Sequence, residues 1–414
     1  MAVPRMLRLR QNFPRPRVAD VPRAVAEALA VADLKIERGD TVAVGAGSRG
    51  IANIGIIVGA TVRWLKDLGA RPFVFPAMGS HGGGTPEGQL SVLEHYGITE
   101  STMGCPIRAT MEVVQVGEAL SLPIWLDRHA SEADWIGLVN RVKPHTDFKG
   151  AIESGLFKMM TIGLGKHKGA IQYHRANIHH GYEAVITAVG REMLSKSRIG
   201  FGVGIVENGY DETARIEAFN ADNLEAGERR LLKDAREWMA RLPFTQIDVL
   251  IVEEMGKNIS GAGMDTNVIG RPTNPHEPFP ADPKILWIVA LDLTDESYGN
   301  ATGIGNADFA TRRLVEKIDM KPTLINCITA CEPGAAKVPA TYETDREVIE
   351  TALSCIGLMP PEKARVVRIK NTLLLSEIEA SEALLPEIAG RADLTRLNEP
   401  APLAFDAAGR LVPF

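Results

Sequence analysis

Five of the chain's nine histidines fall between Asn140 and His180: His145, His167, His174, His179 and His180. Lys149, Lys158, Lys166 and Lys168 stand among them, with glycines throughout. Imidazoles move protons or hold a metal, amines bind anions or form covalent links, and glycines let a ligand approach the backbone. The interleaved Leu156, Phe157, Met159, Met160, Ile162 and Leu164 argue against a freely solvated loop. They suggest a packed segment whose polar groups face a cleft. Lys158, in Ser154-Gly155-Leu156-Phe157-Lys158, is a candidate nucleophile, because burial among apolar side chains disfavours the charged amine. His174 is a candidate metal ligand, since one neutral imidazole suits a borderline metal. No paired spacing such as HExxH accompanies it, so a zinc site built from protein ligands alone is not expected.

Two further loops carry similar residue types. Met78-Gly79-Ser80-His81-Gly82-Gly83-Gly84 frames a histidine with glycines, which points to general acid or base work. Gly45-Ala46-Gly47-Ser48-Arg49-Gly50 matches G-x-G-x-x-G between an expected strand and an expected helix. The acidic residue of a dinucleotide fingerprint is missing after Phe75, where the chain reads Pro-Ala-Met-Gly. A phosphate or carboxylate at the helix start, held with Arg49, fits better than NAD, although a nicotinamide oxidoreductase stays open.

The elements that must hold these loops alternate. Strands are expected at 41–44, 72–75, 135–142 and 200–206, and helices at 54–68, from Thr85-Pro86-Glu87 onward, and at about 155–161, 183–196 and 225–241. A second alternation follows, with strands at 248–252, 285–291, 322–328 and 365–370 and helices at 307–318 and 344–356. The reading is an α/β fold of two domains, each a mostly parallel sheet flanked by helices. The domains are expected at 1–245, binding the cofactor, and 246–414, with a hairpin around Ala408-Gly409 that packs back on the first domain. All three candidate loops then leave the carboxyl ends of strands, where α/β sheets bind ligands.

Composition narrows the classes. A length of 414 residues, 45% hydrophobic and 24% charged, is ordinary for a globular protein of this domain count. A net charge of -6 gives no reason to expect nucleic acid. No stretch reads as a signal peptide or a membrane span. The four scattered cysteines read as reduced thiols in a cytoplasmic protein. A homo-oligomer is left open.

Taken together, the loops resemble the nickel-pincer lactate racemase family of 2-hydroxy acid racemases and epimerases. The likeness lies mainly in residues 40–180. The family's Asp-x-Thr-Arg loop corresponds to Ala46-Gly47-Ser48-Arg49, its Gly-x-His loop to Gly79-Ser80-His81, and its Pro-His to Pro144-His145. Its Ser-Gly-x-x-Lys element corresponds to Ser154–Lys158, and its metal-binding histidine to His174. The resemblance implies a nickel-pincer pyridinium nucleotide joined covalently to Lys158, installed by cofactor-maturation enzymes, with nickel on His174. Gly47, Ser48, Arg49, Ser154 and Gly155 would line the cofactor. It also implies that His81 and His145 act as opposed acid/base groups on a small anionic 2-hydroxy acid, with hydride leaving and returning to C2. The pattern departs at Ala46, where the family has an acid. It departs again after Asp265-Thr266-Asn267, where Gly270, Arg271 and Thr273 replace a stretch bearing Gln and Lys. Arg49, Lys257 and Arg271 are then the candidates to hold the substrate, and lactate itself is not the expected one. A cofactor-free, anion-binding relative is the remaining alternative.

Overall fold

The computed structural model describes residues 3–47, 50–274 and 282–413. The chain forms two compact units: residues 15–239, and residues 240–414 together with 1–14.

The unit 15–239 is built on a five-stranded sheet in the order Arg71–Pro76, Thr41–Ala46, Trp135–Arg141, Ile199–Glu207, Thr213–Asn220. The first four strands run parallel and the last is antiparallel. The central strands are apolar at nearly every position, as a sheet buried on both faces requires. One face carries helices Val21–Val31 and Ile54–Asp67, which bury Val25, Leu29, Ile57, Val62 and Leu65. The other carries Tyr182–Lys196 and Leu224–Trp238, packed with Phe157, Val185, Val189 and Leu231. An antiparallel ribbon, Val113–Ala119 with Leu122–Asp127, lies over helix Tyr182–Lys196.

The other unit contains a nine-stranded sheet. Strands Gln246–Val252, Lys284–Ala290, Phe309–Thr311, Ala340–Tyr342 and Val366–Ile369 run parallel. Glu377–Ser381, Arg5–Gln11 and Leu394–Arg396 extend it antiparallel. The α/β class with two mostly parallel sheets is therefore as expected. The boundary differs: the strand Arg5–Gln11 belongs to the second unit, where Leu7 and Leu9 are fully buried. The C-terminal residues pack in that same unit, with Leu403 and Leu411 against Met6 and Val249.

Two local expectations fail. Residues 322–328 form part of helix Met320–Thr329, because Asp319 accepts the Lys321 amide at 2.9 Å and caps the start. Its β-branched Thr and Ile residues suggested a strand, but the cap and Pro322 in the first turn favour a helix. The helix expected over 307–318 is a strand, Phe309–Thr311, followed by helix Arg312–Glu316, with Thr311 capping the Leu314 amide. Helix Lys166–His180 went unseen. Its buried face (Lys166, Gly169, Ala170, Tyr173, Ala176, Asn177) has helical spacing but too few apolar side chains to show it.

Candidate functional site

Strands Arg71–Pro76, Thr41–Ala46 and Trp135–Arg141 are parallel neighbours, so the loops that follow them leave the same edge of the sheet. Each loop carries candidate residues.

The loop after Arg141 is a closed turn. Lys143 and Ser154 exchange backbone hydrogen bonds at 2.8 and 3.2 Å. Inside the turn the buried Glu153 carboxylate accepts the amides of His145 at 2.6 Å and Gly150 at 3.1 Å, and a guanidinium N–H of Arg236 at 2.6 Å. This carboxylate fixes His145, which is 4% exposed, and stacks its ring near Phe148 at 4.5 Å. The Asp147 amide donates to His145 Nδ1 at 3.0 Å, and the Asp147 carboxylate lies 3.6 Å from the same nitrogen. His145 Nε2 is hydrogen-bonded to Lys158 Nζ.

Lys158 ends a short helical turn, Leu156–Lys158, which continues as a wide turn, Met159–Gly163. Leu156 and Phe157 are buried, and Lys158 is half-buried. Beneath the turn lies Glu228, fully buried, which accepts the Phe157 amide at 2.8 Å. Burial pushes the Glu228 carboxyl up to about 8, and its Oε1 has no hydrogen-bond partner among the described residues. A Cβ at Gly155 would sit 2.2 Å from that oxygen. Gly155 therefore makes room for Glu228, whereas the sequence suggested that it makes room for a ligand. Its carbonyl accepts a hydrogen bond from Asn140 at 2.8 Å, and Asn140 Oδ1 occupies the space a Cβ at Gly47 would need.

His174 lies in the middle of helix Lys166–His180. Burial, with a smaller effect from Lys158, pushes its imidazole down to about 4, so the ring is neutral near pH 7. Its buried Nδ1 has no hydrogen-bond partner among the described residues. Tyr182 joins the two histidines, its ring centroid 5.9 Å from that of His145 and 6.0 Å from that of His174.

His81 is half-buried at the start of the turn His81–Gly84, where Gly82, Gly83 and Gly84 all have positive φ. A buried truss ties this loop to the helix bearing His174. Gln89 donates to the Met78 and Gly79 carbonyls at 3.1 and 3.0 Å. Lys166 in turn donates to Gln89 at 2.6 Å and to the Pro76 carbonyl at 2.7 Å, with Asp127 3.6 Å away. Burial lowers Lys166 to about 8. Gly79 faces Ile162 and Ala170, and Gly84 faces His167, so the loop lies against the segment 159–170.

Thus His145 and Lys158 touch, Lys158 and His174 are electrostatically coupled, and the His81 loop packs on the same segment. Ser154 contributes its backbone to the turn. Ser48 and Arg49 lie outside the described residues. Lys257 and Arg271 belong to the other unit. There Lys257 donates to the Gly261 carbonyl at 2.6 Å. Arg271 is bonded to Asp308 at 2.6 Å and to the carbonyls of Asn306, Ile285 and Leu286. A guanidinium so engaged anchors the loop that bears it. Sequence reasoning missed Glu153, Asp147, Tyr182, Gln89 and Glu228. Only the Glu228 signal was visible in principle, as an acid on the apolar face of an otherwise amphipathic helix.

No protein-family model matches the chain, and no curated protein matches it. Among solved structures it is similar to the lactate racemase apoprotein from Thermoanaerobacterium thermosaccharolyticum. The TM-score is 0.56 at 12% identity, over 89% of this chain and 98% of that one. The two share a fold.

The residues fit a covalently anchored, metal-bearing group. A buried imidazole nitrogen of His174 has no hydrogen-bond partner among the described residues, the ring is neutral, and the Lys158 amine acts on it electrostatically. Among the described residues no three His, Cys, Asp or Glu side chains gather to hold a metal. A metal at His174 would take its remaining donors from the bound group.

Proposed function

We propose that the chain is a racemase or epimerase of a small 2-hydroxy acid, other than lactate, working with a nickel-pincer nucleotide. The observation that carries this reading is His145 bonded to Lys158, with His174, electrostatically coupled to Lys158, presenting a buried Nδ1 that has no hydrogen-bond partner among the described residues. The fold shared with a lactate racemase apoprotein supports it. Lys158 would hold the group through its Nζ, and His174 would ligate the nickel. When bound, such a group supplies a pyridinium carbon that accepts and returns hydride.

The chain's own residues handle protons and charge. His145 would meet the substrate hydroxyl at Nε2 once Lys158, the partner of that nitrogen in the unloaded protein, carries the group, while Asp147 keeps hold of Nδ1. Asp147 serves both tautomers of that ring. Its amide, at 3.0 Å, suits an unprotonated Nδ1, and its carboxylate, 3.6 Å away, is the acceptor toward which a protonated Nδ1 would turn. The second state leaves Nε2 free to take the hydroxyl proton. His81 does the same from the opposite face, and the truss of Gln89 and Lys166 holds its loop in register with His174. Two proton-handling groups are needed because the two enantiomers present their hydroxyls from different directions. Arg49 is the proposed holder of the substrate carboxylate.

The test uses protein co-produced with cofactor-maturation enzymes and single enantiomers of 2-hydroxy acids deuterated at C2. Inversion with deuterium retained in the product supports hydride return to the same carbon. Inversion with deuterium lost to water refutes it, since that outcome means C–H proton exchange. His81→Ala and His145→Ala should each lower the rate by at least about 10²-fold, the usual contribution of a general acid or base.

A further inference from the structure

Helix Met320–Thr329 is built inside out. Its inward positions are polar or small. Thr323 Oγ1 donates to the Asp319 carbonyl at 2.8 Å and accepts the Ala301 amide at 3.0 Å. The Asp319 amide donates to the Gly299 carbonyl at 2.9 Å, and buried Cys327 packs with Ala335 and Ala336. The outward positions are apolar. Leu324, Ile325 and Ile328 are 42, 58 and 59% exposed and surround Lys321 on the open face of the helix. Met320 continues the stripe at one end, and Tyr298, 88% exposed, adjoins it through the bond between Gly299 and Asp319. A helix packed on its own core turns its apolar stripe inward and its polar residues to water. Hydrogen bonds fasten this helix to its unit instead, which leaves the apolar stripe for another surface.

We propose that this face is a homodimer seam, in which helix Met320–Thr329 packs antiparallel on the same helix of a second copy across a two-fold axis. Charge and area both select a second copy. Lys321 is the one charged residue of the helix and stands in its first turn, where a cation opposes the helix dipole, while the last turn has no basic residue. Antiparallel pairing carries each Lys321 to the carboxyl end of the other helix, where the dipole favours it. A parallel pairing would set the two lysines side by side. At roughly 100 Å² for a fully exposed aliphatic side chain and about 200 Å² for a tyrosine, the stripe offers about 400 Å² per copy, so a pair buries about 800 Å² of apolar surface. With its polar rim the seam comes to roughly 1,000 Å², the lower end of specific interfaces, which makes the dimer reversible and its Kd micromolar. One stripe meeting itself is an isologous contact, and it closes at two copies.

The test is sedimentation equilibrium of the full chain from about 1 to 300 μM, a range that brackets a micromolar Kd. The wild type should pass reversibly from monomer to dimer. Ile325→Glu and Ile328→Glu should each weaken the dimer at least about tenfold, as the loss of a central anchor does. Both side chains are exposed, so both variants should keep the wild-type circular dichroism spectrum. Acetylation with N-hydroxysuccinimidyl acetate, read by peptide mass spectrometry, locates the seam. Lys321 should label more slowly above the Kd than below it, while Lys35, exposed in the unit 15–239, should label at one rate throughout. A wild type that stays monomeric to the top of the range would overturn the proposal and leave the face to a different protein. A dimer equally tight in both glutamate variants, or one in which Lys321 reacts as fast as in the monomer, would overturn it by placing the contact elsewhere.

Discussion

His174 brings the most chemistry to the least conspicuous position. In the sequence it is one of five histidines in a basic stretch, and nothing in the spacing separates it from His179 or His180, which are exposed at the end of the same helix. Burial separates them. The His174 ring is neutral down to about pH 4, while an unfolded chain protonates it near 6.5. Between those values the unfolded state binds the extra proton. The site therefore costs nothing above pH 6.5, and stability falls as pH drops toward 4. The loss approaches about 3 kcal/mol across the full window. Replacing His174 by Gln should flatten this part of the stability curve, as measured by urea unfolding of the unloaded protein at pH 7 and pH 4.5. An equal loss in both proteins would mean that His174 does not carry the acid sensitivity.

Glycines show how an element can mislead when it is read as sequence alone. Gly155 sits in a motif that suggests close approach of a ligand, but the room it leaves is filled by Glu228. Gly155→Ala should lower stability by about 1–3 kcal/mol, the usual cost of overpacking. Shortening the carboxylate with Glu228→Asp should recover part of that loss, because the two positions share one space. Thermal unfolding of the single and double variants decides this, and strictly additive losses would contradict the shared space. The strands bearing the candidate loops were legible, since apolar runs bounded by glycine and proline leave little choice. Helix Lys166–His180 was not, because its buried face is lined by glycine, alanine, asparagine and a lysine. The contacts within the site were beyond reach for a different reason. Glu153, Gln89 and Glu228 act through backbone amides and carbonyls brought together only by folding.

At the scale of the whole molecule, the α/β class and the presence of two units could be read from the alternation of periods, but the closing of the second sheet could not. Strand Arg5–Gln11 lies between Glu377–Ser381 and Leu394–Arg396, more than 360 residues away in sequence. Short-range patterning carries no such pairing. Deleting residues 1–11 should unfold the unit 240–414, since it removes the strand that joins Leu394–Arg396 to the rest of the sheet and the fully buried Leu7 and Leu9, each worth about 2–5 kcal/mol. The unit 15–239 should keep its structure, and hydrogen exchange read separately over the two units would show it. Equal loss of protection in both would contradict the division.

The central claim is that Lys158 anchors a nickel-bearing group with His174 as its protein ligand. The most direct measurement is the intact mass and nickel content of protein co-produced with the cofactor-maturation enzymes. The wild type should carry a covalent adduct and about one nickel per chain, in keeping with a single protein imidazole completing a site whose other donors come with the group. Lys158→Ala should show neither, and His174→Ala should keep the adduct while losing nickel. A wild type that inverts a 2-hydroxy acid with no mass increase and no nickel would contradict the account.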